Sequence, residues 1–130
     1  MKKRAVLCCL GILLGINFLW AQNVPDGMLK AFKQGNAGAL KGYLNHQVEV
    51  TIQNHPQPLD KQKAEHSLAK FFTAHPVQDF RVNHQGKRDE TGFMVGTLQT
   101  QNGEFRVNCF FRKVGEKYVI HQIRIDKSNE

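Results

Sequence analysis

The chain is poor in the residues that usually announce a reaction or a covalent staple. Of its three cysteines, Cys8 and Cys9 fall within the first ten residues, which leaves Cys109 on its own. A lone thiol cannot close an internal disulfide, so any folded part must hold through an apolar core. Cys109 reads as a small buried hydrophobe rather than a reactive group. None of the six histidines is spaced four residues from another, and no compact His/Cys/Asp cluster exists. That spacing excludes a recognisable zinc site, and no metal or cofactor is expected. The sequence also lacks internal repeats, low-complexity tracts and an acidic tail.

Acidic residues are the other scarcity: 11 Asp and Glu stand against 18 Lys and Arg, a formal charge of +7. Much of that imbalance sits at the start. Lys2-Lys3-Arg4 precede an uncharged, mostly apolar run from Ala5 to Trp20, followed by Ala21. This is the pattern of a secretory leader, with residues 1–21 as signal peptide and residues 22–130 as one domain. The apolar run is shorter than a membrane span and contains Asn17. Leu7 before Cys8, where a lipobox wants a small residue, argues against a lipid anchor. Removing the leader takes away three basic residues and lowers the net charge from +7 to +4. Export and modest charge together speak against nucleic acid as a partner. The destination is the periplasm or the medium, and the chain is not expected to span a membrane once the leader is gone.

What is there reads as α+β. Asp26 is placed to cap a short helix with Met28, Leu29 and Phe32, ending near Gly35. Asn36 is placed to cap a second one carrying Ala37, Leu40, Tyr43 and Leu44. Val48, Val50 and Ile52 alternate with Gln47, Glu49 and Thr51, which predicts a strand over 46–54. His55-Pro56-Gln57-Pro58 reads as a rigid connector. Asp60 then caps a helix to about Ala74, with Ala64, Leu68, Phe71, Phe72 and His75 on one face, and Pro76 stops it.

Four strands follow between Asp79 and Asp126. The clearest places Phe105, Val107, Cys109 and Phe111 on one face and Arg106, Asn108, Phe110 and Arg112 on the other. A second runs from Phe93 to Gln101, expected to be apolar at Phe93, Val95 and Leu98, with Gly96 marking a bend. In the last strand Val119, Ile120, Ile123 and Ile125 do not keep one parity, which predicts a bulge near His121. The turns are expected at Gly86, Asn102-Gly103 and Gly115. The architecture is thus a curved antiparallel sheet, one early strand plus a four-strand meander, with three helices packed on one face in a cone.

That order, together with Val48–Ile52, Phe71-Phe72, Phe80 through Gly86, Gly96–Thr100, Gly103–Val107 and Ile120–Ile125, resembles the nuclear-transport-factor-2-like (cystatin-like α+β) superfamily. Within it, the same stretches resemble the exported family catalogued as domain of unknown function 4783. The resemblance implies a cone with a pocket between sheet and helices. It implies no single activity, because the superfamily holds isomerases and dehydratases beside non-catalytic binding domains.

Two groups of residues are singled out. His121, Tyr43, Phe72 and Tyr118 are candidates to line a pocket for a small apolar ligand. Arg81, Arg106, Phe110, Arg112 and Arg124 share the outward parity and could meet an acidic protein, an anionic glycan or a second copy of the chain. The bland readings are a hydrogen-bonded edge histidine and a solvated face whose arginines pair with acids such as Glu49. Catalysis is disfavoured because no acid falls on an apolar parity: Glu49 alternates outward, Asp60 is a cap, Glu65 lies among lysines, and Asp89, Glu90, Glu104 and Glu116 sit in or beside turns. The expectation is therefore a non-catalytic exported binding domain. The alternative is a small isomerase or dehydratase that uses His121 with Tyr118 or Tyr43.

Overall fold

The computed structural model describes residues 24–128. The leader assigned to 1–21 lies outside the described residues. Three helices, α1 (Asp26–Gln34), α2 (Ala37–Lys41) and α3 (Lys61–Ala74), accompany six strands: β1 (Leu44–Ile52), β2 (His55–Asp60), β3 (Val77–Arg88), β4 (Thr91–Thr100), β5 (Gly103–Val114) and β6 (Lys117–Lys127). The sheet order is β2-β1-β6-β5-β4-β3, with β1 parallel to β6 and every other neighbour antiparallel. The sheet is curved, mixed and unclosed, and the helices cover one face. No helix among the described residues is long and apolar enough to cross a membrane.

Local chemistry explains most boundaries. Gly35 ends α1 in the left-handed region at φ 61°. The Asn36 side chain accepts from the amide of Ala39 at 3.0 Å, and that of Asp60 accepts from Lys63 at 2.8 Å, so α2 and α3 are capped as their sequences predict. At α1 the cap position falls to Pro25, and Asp26 is the first helical residue with no capping bond of its own. There its carboxylate acts through the helix dipole instead. Helix α2 stops at Lys41; Tyr43 follows it and Leu44 opens β1.

The connector at His55–Pro58 is a strand, which corrects the sequence reading. Gln53 and Asn54, both at positive φ (50° and 69°), form a two-residue turn that folds β2 back on β1. Pro56 and Pro58 are two apart, so both nitrogens face the same side. On an edge strand that side is the free one, where a missing N–H blocks further pairing. The hairpin then attaches through β1 alongside β6, which makes the sheet mixed rather than wholly antiparallel.

The inner face follows the parity read on β5. Phe105, Val107 and Cys109 are completely buried and Phe111 nearly so, while Phe110 and Arg112 are exposed. Helix side chains meet them: Phe71 stands edge-on to Phe105 at 5.1 Å between ring centroids, and Phe32 stacks on Phe80 at 4.8 Å. Asn102, in the β4–β5 turn, donates to the carbonyl of Ala74 at 3.0 Å, so the hairpin tip satisfies the C-terminus of α3.

Strand β4 departs from expectation. Met94, Gly96, Leu98 and Thr100 face inward, and Phe93 and Val95 face away from the helices. Gly96 is there because a Cβ would stand 2.4 Å from Cζ of Phe80. The irregularity opposite it lies on β3, between Val82 and His84. Gly86, expected in a turn, lies inside β3. The turn is made by Asp89, at φ 55°, and Glu90.

Candidate functional site

The outward side chains of four adjacent strands form cross-strand rows. Arg81, Thr97, Arg106 and Asp126 are successive partners in one row; His84, Val95, Asn108 and Arg124 form the next. Gly86, Phe93, Phe110 and Gln122 form a third, and Arg88, Thr91, Arg112 and Val119 a fourth. Arg81, Arg106, Phe110, Arg112 and Arg124 are all exposed and all lie on this face. Arg124 donates to Asp126 and, at 3.1 Å, to Asn54 across the β1–β2 turn. Among the described residues Lys87, Arg88, Arg112, Arg81 and Arg106 form no ion pair.

In the middle of these cations stand two exposed rings. Phe93 and Phe110 are direct partners across β4 and β5, each 39% exposed. Neither stacks on another aromatic ring among the described residues. The position of Phe93 is set from below: its ring lies across Gly86, where a Cβ would come within 2.4 Å of it. Glycine on the neighbouring strand is the residue that admits such a ring.

These rings form one wall of a cleft of about 470 Å³ at the end of the sheet. Phe111, His121, Lys87 and Arg88 also border it. No carboxylate among the described residues lines it. His121 reaches the cleft through the bulge read from the sequence: Phe110 pairs with Gln122 and Phe111 with Ile120, which leaves His121 as the extra residue. Burial, and then the nearby Arg112 guanidinium, hold its pKa below the ordinary value. Its ring is therefore neutral at pH 7, and Nδ1 is buried without a hydrogen-bond partner.

The other pocket candidates lie elsewhere. Phe72 is buried in the core, edge-on to Phe71 at 5.9 Å, and borders a separate cleft between α3 and the α1–α2 turn. Tyr43 packs its phenol against Gly27 of α1. Tyr118 sits under the ammonium of Lys87, 4.9 Å from its ring centroid, with its hydroxyl buried and unpartnered. The structure brings none of these three onto the wall shared by His121 and the exposed rings. Phe93 is the residue sequence reasoning missed. The available signal was Leu98: it shares parity with Met94, not with Phe93 and Val95, so one of the two sets had to face outward.

Comparison with known proteins extends this picture. A crystal structure of a DUF4783 family protein from Bacteroides uniformis ATCC 8492 is 59% identical, with a TM-score of 0.79, and the match covers 83% of this chain and 100% of that one. Another, from Bacteroides ovatus ATCC 8483, is 51% identical, with a TM-score of 0.80, covering 84% and 99%. A protein from Nostoc punctiforme PCC 73102, described as a domain of unknown function with a cystatin-like fold, is 9% identical, with a TM-score of 0.62, covering 78% and 71%, a likeness of fold alone. No curated protein matches the chain. Residues 25–126 match the family described as domain of unknown function (DUF4783), and with the two close Bacteroides relatives this establishes that the chain belongs to the DUF4783 family, on a nuclear-transport-factor-2-like fold.

Proposed function

We propose that the protein is exported by its leader and acts as a non-catalytic binding domain, engaging an acidic partner through the outer face of its sheet. One observation carries this reading: a pair of exposed phenylalanines in register, Phe93 and Phe110, surrounded by Arg88, Arg112, Arg124 and His84 in the neighbouring rows. Apolar rings within a frame of arginine are the usual makings of an interface centre. A second copy docking face to face would oppose like charges around the rings, which disfavours self-association there.

Two other readings have less support. A ligand inside the cone would need room among side chains such as Phe32, Phe80, Leu98, Phe105 and Ile123, all buried to 1% exposure or less. Catalysis would need a proton donor or acceptor beside His121, yet neither Tyr43 nor Tyr118 lines its cleft.

Native mass spectrometry of the exported form, purified from its own host, tests the proposal. The expected result is a retained acidic partner that is lost from Phe93→Ser/Phe110→Ser and Arg81→Glu/Arg106→Glu variants with unchanged unfolding midpoints. A bare monomer, or a partner retained equally by those variants, would overturn it.

A further inference from the structure

We infer that the cleft beside Phe93 and Phe110 binds a small organic carboxylate with a flat apolar body, its ring laid on the two phenylalanines and its anion held by Arg88. The inference rests on the outer-face reading and names the chemistry of one subsite within it.

The shape argues for a small molecule. A volume of about 470 Å³ is in the range of ordinary ligand pockets and is too small for a folded surface. Two rings, Phe93 and Phe110, supply a dry wall, and Phe93 is held in place over Gly86. A second glycine, Gly92, borders the floor through its backbone alone between β3 and β5. Flat apolar contact is what such a floor can offer.

The charge argues for an anion. Arg88 lines the cleft, Arg112 lies within electrostatic reach of His121, and no carboxylate among the described residues lines it. The hydroxyl of Thr91 is already committed to the carbonyl of Arg88 at 3.0 Å, which fixes the backbone that presents the guanidinium. Beside an apolar wall the local dielectric falls, so a guanidinium–carboxylate contact there is stronger than on an open surface.

The test is an ¹⁵N NMR titration with 2-naphthoate and with its neutral counterpart 2-naphthamide. Naphthoate should shift the amides of Gly86, Gly92 and Phe110 and bind at least about tenfold more tightly than the amide, as one charge-assisted hydrogen bond would give. Arg88→Gln should erase that ratio, and Phe93→Ala should weaken both compounds. Equal affinity for the two compounds, a ratio that survives the charge variant, or shifts confined to residues outside the cleft would overturn the inference. Arg81→Glu/Arg106→Glu alters a single row farther along the face, so it should leave naphthoate binding unchanged while affecting the macromolecular partner. The failure of either reading is thereby recognisable without the other.

Discussion

Strand β5 carries phenylalanines on both of its faces, and the two sides live differently. Phe105 is fully buried against Phe71 and His75, whereas Phe110, five residues on, is 39% exposed beside an equally exposed Phe93. On the inner face, apolar area removed from water holds the helices to the sheet. On the outer face the same side chain gains little from folding, and among the described residues the neighbouring Arg88 and Arg112 have no acid partner. The comparison teaches that exposed aromatic area in register is the informative feature here, more than any single polar residue.

The largest expected effect breaks the comparison at its centre. Phe105→Ala should destabilise the protein by about 3–5 kcal/mol, while Phe110→Ala should cost under about 1 kcal/mol, both read from urea unfolding. Similar losses for the two would mean that the outer rings are structural. Next comes Gly96→Ala, which forces a Cβ into Phe80 and the carbonyl of Arg81, 2.9 Å away. A loss of about 1–3 kcal/mol is expected from overpacking, again visible as a lower urea midpoint. On the wet side, Arg124→Ala removes an exposed ion pair and should change stability by less than about 1 kcal/mol.

The smallest effect concerns pH. Because burial and Arg112 lower the pKa of His121 from 6.5, the unfolded chain binds a proton more readily than the native one. This part of the stability is complete above about pH 6.5 and declines as the pH falls from there through the lowered native value. Urea midpoints of the parent should therefore fall further than those of His121→Gln over that interval. Parallel profiles would show that the imidazole is as free in the fold as out of it.

Much of the fold was legible because its signals are local. Asn36 and Asp60 cap their helices, Gly35 ends α1, the alternation from Phe105 to Phe111 sets one face of β5, and the mixed parity of β6 located the bulge at His121. The misreadings share one cause. Pro56 and Pro58 argue against a strand unless its other edge is free, and Gln53-Asn54 contains no glycine to announce the turn. Phe93 and Val95 look like core residues on any local scale. Only the rows contributed by β3 and β5 reveal that this parity points outward. The candidate site was half legible: its arginines and His121 could be named, but not the ring that brings them together.

By itself, the sequence determined most element types, the caps of α2 and α3 and the dry face of β5, because these depend on neighbours within a few residues. Which strand flanks β6, which side of β4 meets the helices, and the meeting of Phe93, Phe110, His121 and Arg88 in one cleft were decided by the tertiary structure alone. The physical reason is that cross-strand register joins residues far apart in the chain, and burial is settled by what the partner strand and the covering helix present, not by the hydrophobicity of the residue itself.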